Sequence, residues 1–174
     1  MAKKLISFET LIVAPGEGVN TVNTAKEIKE SFWKLVYGSA DREAVASLYQ
    51  KSWKNISSSP THGILGFPFD GGAGIMRGSN WGPLFIRSKR QELFSKEQPN
   101  CFDLGDVRVI PHLLYDEMLR PTFLAQLRKE LKYPKLSKLP VSPYSALELV
   151  CRDWHRFKSE TPLVVLGGDH GLSW

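Results

Sequence analysis

With 174 residues, 42% hydrophobic and 24% charged, the chain has a globular composition and enough length for one hydrophobic core. No stretch approaches the roughly 18 apolar residues of a membrane span, and the start, MAKKLISFETLIVAP, lacks the apolar core and cleavage site of a signal peptide, so a cytoplasmic protein with no membrane partner is expected. The net charge of +5 draws on two basic stretches, Arg87 to Arg90 and Arg128 to Lys138; neither interleaves aromatics with base-reading side chains, so both read as solvated helix faces and no nucleic acid partner is expected.

Residues 1–60 read as an N-terminal helical extension. Thr24 and Glu27 form a capping box, after which Ile28, Phe32, Leu35 and Val36 share one face of a helix closed by Gly38. A second helix is expected from Asp41 to Lys54, with Val45, Leu48, Tyr49 and Trp53 on one face. The aromatics Phe32, Trp33, Tyr37, Tyr49 and Trp53 stand at helical spacing and read as packing rather than a ligand-stacking surface. Ser57-Ser58-Ser59-Pro60 is a candidate linker to an α/β domain over residues 61–174.

His62 to Phe67 reads as a strand running into PFDGGAGIMRGSNWGP, where glycine fills five of sixteen positions. That density marks a shaped loop whose backbone follows a path side chains would block. It contains neither G-x-x-x-x-G-K-[ST] nor a proper G-x-G-x-x-G, so it is not read as a phosphate cradle. Ser79 or Asn80 is expected to cap the next helix, with Pro83 in its first turn and Phe85, Ile86, Leu93 and Phe94 as its apolar positions.

Cys101 to Val109 is the next strand, with Asp103 and Asp106 flanking Gly105. Paired carboxylates suit metal binding or acid–base chemistry, and equally a strand-end turn in which they accept backbone hydrogens. Cys101 and Cys151 lie outside any C-x-x-C pattern and read as buried, inert thiols. A short helix is expected over Leu113–Leu119. Another follows Pro121, with Phe123, Leu124, Leu127 and Leu131 inward. After a basic loop from Tyr133 to Pro140, Ser142 and Pro143 open a helix that presents Leu147, Val150, Cys151, Trp154 and Phe157, leaving His155 exposed.

That helix feeds Leu163–Leu166, an aliphatic run between Pro162 and the Gly167-Gly168 pair that reads as a buried parallel strand. The glycines permit a sharp turn and close approach, presenting Asp169 and His170 at the carboxyl end of the strand, where open α/β sheets place ligands. His170 is a candidate metal ligand with Asp169 as its orienting neighbour. The plainer alternative is a tight turn with a hydrogen-bonded imidazole.

Three stretches together resemble one family. GFPFDGGAGIMRGSNWGPLFIR (Gly66 to Arg87), DLGDV (Asp103 to Val107) and VVLGGDHGLSW (Val164 to Trp174) resemble, in order and spacing, the N-terminal half of the ureohydrolases, the superfamily of arginase, agmatinase and formiminoglutamase. The resemblance implies a three-layer α/β/α fold around a central parallel sheet, incomplete over this length. It also implies a manganese-dependent hydrolase, with two Mn(2+) ions at the carboxyl ends of the strands, acting on a C–N bond of a guanidino or formimino compound. Divalent metal lowers the pKa of bound water and offsets charge at the attacked carbon. Homo-oligomers, trimers or hexamers, are implied as well.

Of the family's metal ligands the resemblance transfers only His170. Asp169, Asp70, Asp103, Asp106, Gly167 and Gly168 are then supporting residues or parts of the site loops. Met76 stands where many members have arginine, with Arg77 displaced by one, and Gly171 replaces the usual serine, which leaves the substrate open. The family's other ligands come from D-x-H-x-D and D-x-D segments, and neither pattern occurs in this sequence. One imidazole cannot hold two manganese ions. The expectation is therefore the front part of a longer enzyme, inactive alone; the alternative is a non-catalytic truncated relative acting as a binding or interaction subunit.

Overall fold

The computed structural model describes residues 6–18, 25–53, 60–73, 75, 77–94, 100–135 and 137–169. Thr24, Lys54, Ser57, Ser58, Ser59, Met76, His170 and Gly171, all singled out above, lie outside the described residues. In chain order the elements are α1 (Ile6–Leu11), β1 (Ile12–Val13), α2 (Lys26–Tyr37), α3 (Arg42–Ser52), β2 (His62–Phe67), α4 (Gly82–Leu93), β3 (Cys101–Val107), α5 (Pro121–Glu130), α6 (Pro143–Phe157) and β4 (Leu163–Gly167). Among the described residues no helix is long and apolar enough to cross a membrane.

The described strands form one sheet in the order β1-β3-β2-β4, with β2 central and parallel to both β3 and β4. Side chains alternate along β2, so Gly63, Leu65 and Phe67 share the face under α6 while Ile64 and Gly66 share the face under α4. A Cβ at Gly63 would stand 2.8 Å from Trp154 of α6, and one at Gly66 would stand 2.7 Å from Arg87 of α4. Helices thus cover both faces, the layered α/β arrangement expected from the sequence.

Two features of the sheet were not legible beforehand. Residues before 60 add β1, which pairs antiparallel to β3 through Ile12↔Val107 and Val13↔Asp106, so the sheet is mixed. Phe8, Leu11, Trp33, Tyr49 and Trp53 accordingly share one buried cluster with Leu65, Phe67, Leu104, Val107 and Trp154. Second, β4 is not buried. It lies at the edge of the described sheet, with Val164 45% exposed.

β3 carries a bulge, shown by the register shift from Ile64↔Asp103 to Leu65↔Gly105. Gly105 adopts φ +96, which L side chains rarely reach, and a Cβ there would collide with the Val13 carbonyl. Residues three apart on a regular strand face opposite sides; the extra residue returns Asp106 to the face of Asp103. Carbonyls released by the bulge find other donors: Tyr49 Oη donates to Leu104, and Arg87 Nη2 donates to Gly105 at 2.8 Å.

Several helix faces differ from expectation. α2 starts after Ala25, which makes no side-chain cap, and buries Phe32 and Trp33 while Leu35 and Val36 are 58% and 42% exposed. The cause is Trp33, whose Nε1 donates to Pro15 O at 2.8 Å and turns that face toward the loop after β1. Gly38 closes α2 in the left-handed conformation as expected. In α3, Asp41 caps by accepting from Ala44 N, and Val45, Tyr49 and Trp53 are buried, with Leu48 outside.

Neither Ser79 nor Asn80 caps α4. A 3₁₀ turn, Ser79–Trp81, leads directly into it, with Pro83 in the first turn as expected. Its buried face is Pro83, Leu84 and Arg87, leaving Phe85, Ile86, Leu93 and Phe94 exposed. Arg87 is therefore no member of a solvated basic face, and Arg128 is half-buried, donating to Leu139 O at 2.8 Å.

Leu113–Leu119 forms only a 3₁₀ turn at Asp116–Met118, because the Asp116 carboxylate accepts from the amides of Val141 and Ser142 and holds the segment across the start of α6. α5 buries none of its residues, and Phe123 is 40% exposed. In α6 Ser142 occupies the N-cap position without a capping bond from its hydroxyl; Ala146, Leu147, Val150 and Trp154 are buried and His155 is exposed. Both cysteines are half-buried rather than buried. Burial pushes the Cys151 thiol up to about 11.

The bulge makes Gly105 far less replaceable than Gly38, which also has positive φ but nothing within 4 Å of where a Cβ would stand. Gly105→Ala is expected to cost about 2–4 kcal/mol from backbone strain plus overpacking, and Gly38→Ala about 1 kcal/mol. Equal losses in urea denaturation would mean that the Val13 contact does not constrain the bulge.

Candidate active site at the carboxyl ends of the strands

Because β2, β3 and β4 run parallel, Phe67, Val107 and Gly167 end at one edge of the sheet, and the loops after them form its mouth. The loop after β2 is organised by its own aspartate. Asp70, 6% exposed, accepts from Arg77 Nη1 at 3.0 Å and from Gly78 N at 3.0 Å, while the same arginine nitrogen donates to the Asp70 carbonyl at 2.8 Å. Arg77, displaced by one position from the family pattern, thus acts as an internal brace of the glycine-rich loop.

That loop meets the end of β4. Gly168 packs against the backbone of Phe69, Ser79 and Asn80, with the Ser79 carbonyl 3.0 Å from where a Cβ would stand. Only glycine fits this approach. Asp169 follows immediately, and its Oδ2 accepts from Gly72 N at 2.6 Å. The carboxylate and the two loops therefore lock one another.

Aromatic rings pack behind the mouth. Phe67 and Phe69 pack on Tyr144 of α6 at 5.5 and 5.1 Å between centroids, and Tyr115 stacks on Tyr144 at 5.1 Å and 16°. Burial raises the Tyr144 phenol above its ordinary pKa, with Asp169 and then Tyr115 adding to it, which places this ring within the field of the Asp169 carboxylate. Neither tyrosine stood out in the sequence, because Tyr144 follows Ser142-Pro143 as an ordinary first-turn residue and Tyr115 has no periodic partner.

Asp103 and Asp106 are placed differently from a pair of site-loop residues. Both lie within β3 and face Arg87, which donates to Asp103 at 2.8 and 2.9 Å and to Asp106 at 2.5 Å. The second oxygen of Asp106 accepts from Gly16 N at 2.7 Å, tying in the loop after β1. Arg87 is 3% exposed and Asp106 1%. Burial opposes the Arg87 charge, but Asp103 and Asp106 outweigh it and raise its pKa; burial pushes the Asp106 carboxyl up against the pull of Arg87 and Gly16. Over this cluster Tyr37 of α2 has its phenol raised by burial and by Asp103. The signal that exposes Arg87 is its spacing of three from Leu84, which is buried with Pro83 at the start of α4.

Tested against a manganese pair, the described carboxylates do not fit. Asp103 and Asp106 are engaged by Arg87, Asp70 by Arg77 and Gly78, and Asp169 by Gly72. Among the described residues no three of His, Cys, Asp and Glu come together to hold a metal ion. What the described residues supply is the frame of a mouth, with Asp169 fixed in position beside His170, which lies outside them.

Compared with known proteins, residues 61–174 match the family model of the arginase family. No curated protein and no solved structure matches the chain.

Removing Arg87 would leave Asp106 buried without its counter-charge. Arg87→Met is expected to lose about 3–5 kcal/mol at pH 7, and Arg87→Lys to recover little of it because the paired donors are lost. Without Arg87 the folded-state pKa of Asp106 climbs further above its unfolded value than it already stands, so the deficit grows as pH rises from the parent's folded value toward the variant's and shrinks as pH falls. A urea series from pH 4 to 7 measures this; a deficit independent of pH would remove Asp106 from the account.

Proposed function

Because this chain belongs to the arginase family and carries its ureohydrolase-type fold over residues 61–174, we propose that it is the front part of a manganese-dependent hydrolase cleaving a C–N bond of a guanidino or formimino compound. The observation that carries this reading is the lock at the carboxyl mouth, where Gly168 fits against the loop after β2 and Asp169 accepts from Gly72 N at 2.6 Å. This fixes the residue that directly precedes His170, the one ligand the family pattern assigns within this sequence. The D-x-H-x-D and D-x-D segments that supply the other ligands in the family are absent from it. Residues 1–174 are therefore proposed to be inactive by themselves.

The substrate class follows the family's pattern, and the stacked rings of Tyr115 and Tyr144 near the mouth suit a planar cation such as a guanidinium. A cytoplasmic location and assembly into homo-oligomers belong to the same proposal, on the family's pattern.

Metal content tests it. Residues 1–174 are expected to retain less than one manganese per chain after dialysis and to release no urea from arginine, agmatine or guanidinobutyrate. Joined to the C-terminal half of a family member that carries D-x-H-x-D and D-x-D, they are expected to hold two, and His170→Ala in that chimera to lower affinity or activity by about 100-fold or more. Tight binding of two ions by residues 1–174 alone would contradict the reading, and a folded chimera without metal would favour the non-catalytic subunit.

A further inference from the structure

Between α3, β1 and the segment after β3 lies a cavity of about 320 Å³ that shares no lining residue with the loops holding Asp70 and Asp169. Its volume is at the small end of ligand sites. Ile12, Val45, Ile110 and Leu131 give it an apolar wall, and Arg108 gives it a guanidinium.

Arg108 is the anomaly. Among the described residues the other arginines that are not exposed have acceptors: Arg87 in Asp103 and Asp106, Arg90 in Cys101, Arg128 in Leu139 O. The half-buried Arg108 has none among them for its guanidinium; its Nε is buried without a hydrogen-bond partner and closed to the cavity, which leaves the Nη groups as the donors for a ligand there. A half-buried guanidinium without an acceptor is costly unless something completes it. The nearby charges do not serve. Glu17 is held by Arg42 at 2.6 Å and Lys29 at 2.9 Å, and Glu9 is exposed at the rim.

We propose that this cavity binds a small monocarboxylate with a branched apolar body, its carboxylate on Arg108 and its chain against Ile12, Val45 and Leu131. A guanidinium pairs with a carboxylate through two parallel hydrogen bonds, which one uncompensated arginine can satisfy. A phosphate dianion would bring two charges to a lining in which Glu9 and Glu17 already match Arg42 and Arg108 in number, and it lacks a body to fill the apolar wall.

Titration calorimetry of the 174-residue chain with 4-methylpentanoate tests this against its neutral amide, 4-methylpentanamide, and inorganic phosphate. The acid is expected to bind saturably, at least about tenfold more tightly than the amide or phosphate. Arg108→Met is expected to weaken the acid by at least about tenfold. Ala46 is exposed and lines the cavity, so Ala46→Trp fills the space without entering the core, and is expected to abolish binding even if the Arg108 variant fails to fold. No binding of the acid, equal binding of acid and amide, tighter binding of phosphate, or unchanged affinity in Ala46→Trp would overturn the proposal.

Discussion

The structure depends on neutralising one buried guanidinium. Arg87 sits under α4 with 3% exposure, and its charge is tolerable there only because Asp103 and Asp106 both reach it. They reach it together only because Gly105 permits the bulge that puts residues three apart on one face of β3. The central strand must also leave room: a side chain at Gly66 would collide with Asp106. Helix, bulge and glycine are thus one constraint, and the rotation of α4, with Phe85 and Ile86 turned to solvent, follows from it.

The same cluster joins the first sixty residues to the rest. Asp106 accepts from Gly16 N, Trp33 donates to Pro15, and Tyr49 donates to the carbonyl that the bulge releases at Leu104. Each bond satisfies a polar group that would otherwise be buried without a partner, so β1, α2 and α3 cap the far side of β3 instead of hanging from the sheet as an appendage. The apolar side chains that accompany these bonds, Trp33, Tyr49 and Trp53 among them, are continuous with the main core.

With β3 fixed from within, the mouth can be built by loops alone. Asp70 shapes the glycine-rich loop from inside, Gly168 lets the end of β4 approach that loop, and Asp169 closes the contact at Gly72. The carboxylates in β3 and at Asp70 hold the interior and the loop after β2, and the one at the end of β4 ties that loop to the sheet. Membership of the arginase family accords with this layered layout, in which loops close the carboxyl ends of the strands and the interior carries the charge balance.

Local patterns determined much of this from the sequence. The limits of β2, the left-handed close of α2 at Gly38, proline in the first turns of α4 and α6, and the inward face of α6 follow from steric preferences and periodicity that act over a few residues. The Gly167-Gly168-Asp169 turn and the order of three motifs also identified the fold. Tertiary structure alone decided which face of α4 turns inward, that Asp103 and Asp106 answer an arginine, that β1 joins the sheet, and that the carboxylate of Asp169 meets the Gly72 amide. Those outcomes depend on where a buried charge finds its counter-charge or its donor across 16 to 90 residues of chain, as Arg87 does in Asp103 and Asp106 does in the Gly16 amide. The cost of leaving a charge unpaired appears only once the chain has folded around it, so no local pattern records it.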